Sequence, residues 1–202
     1  MSEELRAMTP QRTVDPTTEP VSVAELKHHV QIAPSYTAHD QYMVALLQAA
    51  REQFESDCGV VCIDSTWAVS LDEWWECDDG LQLSQRPITA IDSVTYVDND
   101  GATQTWASSN YTLDRRRASP TVWYAYNVTT PSIRCQPNAI TVTYSAGYTN
   151  AAAVPMRWKQ AILLLAGHWF EQRTPVVTGT IATEIPLTYE RIVQGLMRST
   201  YP

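Results

Sequence analysis

Positive charge is scarce in this sequence. The 202 residues carry 14 Lys and Arg against 22 Asp and Glu, a net charge of −8 with a pI near 4.9. That balance excludes a protein that grips nucleic acid through its phosphates, because such affinity comes from clustered cations. Charge of either sign is only 18% of the chain while 44% is hydrophobic, so much of the surface must be uncharged, which points to interfaces. Cysteine is also scarce. Cys58, Cys62, Cys77 and Cys135 could form two disulfides in an oxidising compartment, but a chain of this length with a long apolar helix does not need them, and free thiols are expected. In that helix the uncharged run, between Lys159 and Glu171, falls far short of the ~20 residues that a membrane-spanning helix requires. No charged-then-apolar leader opens the sequence, so the expected compartment is a cytoplasm.

Catalytic and metal-binding patterns are equally thin. There is no Gly-rich phosphate loop, no GxSxG elbow and no HExxH. His168 and Glu171 share a helix face, but two potential ligands do not make a metal site. His28 and His29 are adjacent and point to different faces. Cys58 and Cys62 flank three residues including Gly59, unlike the CxxC knuckle of zinc sites, and read as small buried hydrophobes. Asp72, Glu73, Glu76, Asp78 and Asp79 surround Trp74 and Trp75; a solvated acidic hairpin end explains them better than a paired-carboxylate glycosidase. Arg115, Arg116 and Arg117 form the one basic cluster, read as a solvated hairpin edge or a contact with an acidic partner, with DNA contact as the lesser alternative. No catalytic residue, metal or cofactor is assigned, and no enzyme is expected.

What is present is a strong helix. The stretch VPMRWKQAILLLAGHWFEQRTP, Val154 to Pro175, has Pro155 for its first turn and Thr174-Pro175 as its stop. From Ala161 to Gly167 it has no polar side chain, so this part should be covered on every side, by its own domain or by a neighbouring subunit. Leu164 lies in the middle of it, and a charge there should abolish folding or assembly.

The first 20 residues contain three prolines and no apolar period, and are expected to be a flexible arm. Ser22 with Glu25 forms a capping-box pattern ahead of Val23, Leu26 and Val30, and Thr37 with Asp40 repeats it. Behind the second, Met43, Leu46, Leu47, Ala50, Phe54 and Cys58 recur at helical spacing, with Arg51, Glu52 and Glu55 among the polar positions and Gly59 as the stop. From Val60 to about Tyr148 the period becomes alternating. Trp67, Val69 and Leu71, then Ile91, Val94 and Tyr96, then Ile140, Val142 and Tyr144 mark strands. Asp98-Asn99-Asp100-Gly101 and Asp78-Asp79-Gly80 have hairpin-turn chemistry. About six short strands are expected, enough for an antiparallel sandwich or barrel. Pro175 to Thr183 (PVVTGTIAT) is a β-branched segment suited to meeting another subunit, and Pro186 opens a last helix with Tyr189, Ile192, Val193 and Leu196 on one face. The expected class is α+β: a flexible arm over 1–20, a helical bundle over 21–59 and 151–202, and an inserted antiparallel β-sandwich-like domain over 60–150.

The ordered set of segments resembles a known family. PVSVAELKHHVQI (Pro20 to Ile32), LQLSQRPITAIDSVTYVDNDG (Leu81 to Gly101), ITVTYSAGYTNAAAVPMRWKQAILLLAGHWFEQR (Ile140 to Arg173) and the closing IPLTYERIVQGLMRSTYP are similar to the head-to-tail connector (adaptor) proteins of tailed bacteriophages, in the long form with a β insertion. The resemblance implies a non-enzymatic structural protein of the virion neck, assembled in the host cytoplasm. It implies a homo-oligomeric ring, typically dodecameric, beneath the portal protein, which extends the DNA channel and meets the stopper or tail-completion protein. DNA would pass without sequence-specific binding, and no membrane is involved. The interface candidates on this reading are Leu164, His168, Trp169, Glu171 and Arg173 on the long helix, Val176, Val177 and Ile181 in the loop, and Arg198 and Tyr201 at the end. A tail-completion or stopper role in the same neck would suit the same composition. From a different class, a glycan-binding β module would use Trp74, Trp75, Trp106, Trp123 and Tyr124 as a stacking platform.

Overall fold

The computed structural model describes residues 9–116, 119–172 and 187–198. The chain divides into two units, one of Pro16–Ile63 with Tyr148–Pro202 and one of Met1–Asp15 with Asp64–Gly147. The described residues form four α-helices and two antiparallel sheets, a mixed α+β protein.

The helical unit holds α1 (Val23–His29), α2 (Asp40–Cys58), α3 (Met156–Glu171) and α4 (Leu187–Arg198). The first start signal behaves as its chemistry requires. The Ser22 hydroxyl accepts from the Glu25 N–H at 3.2 Å while the Glu25 carboxylate accepts from the Ser22 N–H at 2.7 Å, so two otherwise orphaned donors are satisfied reciprocally. That backbone hydrogen bond from Ser22, reinforced by its hydroxyl and by the charge of Lys159, holds the Glu25 carboxyl below its ordinary range. Because the folded value is depressed, this contribution to stability is present above the ordinary carboxylate range and is lost as pH falls through the lowered one. Ser22→Ala is expected to cost about 1 kcal/mol at neutral pH. Thermal melts at pH 7 and pH 3 check it, the deficit being smaller at the acid pH.

The second start signal works differently. No capping box forms at Thr37 and Asp40: α2 begins behind His39 without a side-chain cap, and the Asp40 N–H goes to the Thr37 carbonyl. The reason is a competing partner. Lys27 is buried, and its ammonium lies 2.6 Å from the Asp40 carboxylate and donates to the Pro34 carbonyl; a buried cation needs that carboxylate more than a helix N-terminus does. At the other end Gly59 adopts φ 61 and stops α2 in the left-handed conformation that glycine takes without steric cost.

The core of this unit is built from Met43, Leu47, Ala50, Phe54 and Cys58 of α2 and Trp158, Ala161, Ile162, Leu165 and Ala166 of α3, closed by Tyr189 and Val193 of α4. The α2–α3 pair is antiparallel, because Phe54 near the end of one meets Trp158 at the start of the other, ring centroids 5.9 Å apart, while Tyr42 meets Phe170 at 6.2 Å. Among the described residues the apolar run of α3 is not covered all round: Leu163 and Leu164 are half-buried.

In the second unit, β1 (Gln11–Val14), β2 (Ser65–Leu71), β4 (Ile88–Val97), β5 (Thr103–Trp106) and β8 (Ile140–Ala146) make a five-stranded sheet in the order β1-β2-β8-β4-β5. The remaining strands β3 (Leu81–Gln82), β6 (Tyr111–Asp114) and β7 (Thr121–Tyr124) make a smaller one, ordered β3-β7-β6. The central β8 alternates strictly, burying Ile140, Val142, Tyr144 and Ala146, which is the pattern of a strand with one face in the core. Asp98-Asn99-Asp100-Gly101 turns β4 into β5, the Asp98 carboxylate accepting the N–H groups of Asp100 and Ala102. Two expectations need correction. The Asp78-Asp79-Gly80 turn joins no hairpin, since β2 and β3 lie in different sheets and the Gly80 N–H closes back on the Glu76 carbonyl. Residues 11–14, expected within a flexible arm, are an edge strand paired with β2, where Arg12 stacks over the Trp67 ring at 4.7 Å; main-chain pairing and this cation–π contact are not visible in an apolar period.

Candidate functional site

The sequence-derived candidates fall on the far end of α3. Leu164, His168 and Trp169 are half-buried and Glu171 is exposed at the last helical position. Trp169 and Phe170 pack against the helical core. The structure brings Phe170 together with the start of α2, where His39 meets it edge-on at 6.0 Å and Tyr36 meets His39 at 5.3 Å. Arg173, Val176, Val177, Ile181 and Tyr201 lie outside the described residues, as does the side chain of Arg198, the last residue of α4.

The largest feature that sequence reasoning missed is a buried charge network in the same unit. Arg51 and Glu55 were expected at polar positions of α2, yet Arg51 is 2% exposed and Glu55 is buried. The Arg51 guanidinium donates to Glu19 at 2.8 Å and to Glu55 at 2.9 Å, and the second Glu55 oxygen accepts the Cys62 N–H at 2.8 Å. Burial opposes the guanidinium's charge, but the hydrogen bond to Glu19 and the charges of Glu55, Glu19 and Glu52 outweigh it, and its pKa is raised. The network ties the segment before α1, the body of α2 and the chain leaving α2 into one piece. A sequence signal existed, because Met43, Leu47, Arg51 and Glu55 are spaced four apart and so continue the apolar row.

Burial, followed by the Glu55 charge, pushes the Cys62 thiol well above its ordinary range, so it is a poor nucleophile. Tyr189 is raised by burial and by its 2.6 Å hydrogen bond to Asp57, a contact that fastens α4 to α2. Among the described residues, no three His, Cys, Asp or Glu side chains converge in a way that could hold a metal.

The aromatic platform of the sheet unit is also differently employed. Trp75 and Trp106 are buried, and Trp74, Trp123 and Tyr124 are half-buried. Trp106 packs against Trp74 at 4.7 Å, Tyr111 at 5.8 Å and Tyr124 at 5.7 Å, and Trp75 stacks on Tyr124 at 5.0 Å. The Trp74 indole N–H donates to the Pro131 carbonyl at 2.9 Å. Trp74, Trp75, Trp106 and Tyr124 pack against one another, so these four do not form an open face for sugar. Around them, Asp72, Glu73, Glu76, Asp78 and Asp79 are all exposed, as is Arg116; Arg115, also exposed, donates to the Thr89 carbonyl, and Arg117 lies outside the described residues.

Comparison with solved structures finds this arrangement along nearly the whole chain. A chain in the virion of a native gene transfer agent (GTA) particle superposes with a TM-score of 0.75 at 21% identity, covering 94% of this chain and 95% of that one. The fold is shared. A chain from the neck of an empty GTA particle computed with C6 symmetry gives a TM-score of 0.74 at 22% identity, covering 92% and 95%. One from the neck of a native GTA particle computed with C12 symmetry gives 0.65 at 19%, covering 91% and 94%. No protein-family model matches the chain, and no curated protein matches it in sequence.

Proposed function

We propose that this chain is a structural neck protein of a phage-like particle, a head-to-tail adaptor that forms a ring beneath the portal, extends the DNA channel and carries the stopper or tail. The observation that supports it most is the fold shared end to end with chains of gene transfer agent virions and necks. The C6 and C12 symmetries of those necks favour a ring of copies, with twelve as the expected number. In this reading the helices act as a ring-forming bundle and the two sheets as a sandwich-like insert. The half-buried Leu164 and the α3 end with His168, Trp169 and Glu171 set subunit register, and Arg173, Val176, Val177, Ile181, Arg198 and Tyr201 reach the portal or the next subunit. The acidic balance suits a channel through which DNA slides, since like charge denies phosphates a place to bind. No catalysis is assigned.

Co-sedimentation with the portal ring of the same particle tests the reading. The wild-type chain should travel with the portal, and Leu164→Glu, whose side chain already reaches the surface, should keep its helical signal but bind at least tenfold more weakly, because a charge is then forced into the contact. Wild-type binding by the variant would count against the assignment of this helix.

A further inference from the structure

A long stretch of the acidic helical unit carries almost no charge, and much of it is exposed. From His28 to Ala50 the only formal charge is Asp40, and that carboxylate is already neutralised by the buried Lys27 ammonium at 2.6 Å. The outward side of α2 in this stretch is Val44, Ala45, Gln48 and Ala49, and it runs on through Tyr42 to Tyr36 in the preceding loop. Tyr36 is 46% exposed, Tyr42 39% and Val44 49%. Apolar and aromatic surface without charge is the composition of an interface centre, not of a solvated helix face.

We propose that this uncharged face of α2, with the loop before it, is where a second copy of the chain packs. The inference rests on the ring assembly proposed above and names its contact. Two copies that each carry a net charge of −8 repel over most of their surfaces, and repulsion is weakest where both signs are absent or internally cancelled. The rest of the helical unit offers a mate. Met156, 73% exposed, stands at the start of α3, and exposed Leu187 and Met197 flank α4, which is fastened to the same end of the α2–α3 pair through Tyr189 and Asp57. Tyr36 and Tyr42 stand at the opposite end, next to Phe170. Between the contacts at Tyr42 and Phe54, α2 advances 12 residues, roughly 18 Å along a helix. Two different apolar surfaces at opposite ends of one unit suit a head-to-tail contact, which closes into a ring; a self-matching patch would stop at a dimer.

The test uses the full chain with and without its portal ring, with assembly followed by mass photometry. Ala45→Glu/Ala49→Glu should leave the helical signal and melting point unchanged while shifting the assembly midpoint by on the order of a hundredfold. The control Thr103→Glu, at an exposed position of β5, should assemble like wild type. Assembly of the α2 variant at wild-type concentrations overturns the α2 contact and leaves the ring reading intact. A wild-type chain that forms no multimer even on the portal overturns both. A second measurement asks what covers the face. With Cys77→Ser and Cys135→Ser removing the exposed thiols, Ala49→Cys should react with a maleimide in the monomer and be protected in the assembly. Protection already in the monomer would mean that the chain's own residues cover α2, and would overturn the proposal.

Discussion

Arg51→Ala is expected to lower the stability of the helical unit by about 3–5 kcal/mol, the cost of leaving buried charge unpaired. The guanidinium answers both Glu19 and Glu55, and Glu55 is held in place because its other oxygen accepts the Cys62 N–H. Denaturant unfolding measures the loss. The double variant Arg51→Met/Glu55→Gln should lose less than Arg51→Ala alone, since the deeply buried Glu55 charge is gone, only the partly exposed Glu19 loses its partner, and the glutamine oxygen can still accept from Cys62. If the single variant were the milder of the two, the network would be exposed in solution and the buried arrangement wrong.

The second large effect lies in the sheet unit. Trp106→Ala should cost about 3–5 kcal/mol, as truncation of a buried large aromatic does. Trp106 closes β5 and touches Trp74, Trp75, Tyr111 and Tyr124, so its removal opens a cavity that four neighbours line. Near-ultraviolet circular dichroism should lose its coupled tryptophan signal along with the stability. A variant that stays as stable as wild type but loses affinity for a polysaccharide would instead restore the glycan-binding reading, in which these rings stack on sugar.

Elements governed by local chemistry were legible in the sequence. The capping box at Ser22, the αL stop at Gly59, the hairpin at Asp98 to Gly101 and the face of α4 all depend on neighbours within a few residues, and the structure shows each of them. Elements governed by distant partners were not. Asp40 looks like a cap until Lys27 claims it, and Arg51 looks solvated until Glu19, 32 residues earlier, reaches it. Residues 11–14 look like a loose arm because their partners are the main chain of β2, more than 50 residues away. The candidate surfaces divide in the same way. An apolar run at Ala161 to Gly167 signals that something must cover it, and among the described residues Leu163 and Leu164 stay half-buried. The uncharged stretch of α2 passed unnoticed because a mildly apolar outer face weakens no helical period; only exposure in the folded chain distinguishes it from core.

Copies of this chain are proposed to form a ring on the portal. Electron microscopy of the chain bound to its portal tests it most directly. A ring coaxial with the portal, with twelvefold order and the helical units in mutual contact, is expected; a lone monomer on the portal, or no bound density at all, would refute the ring.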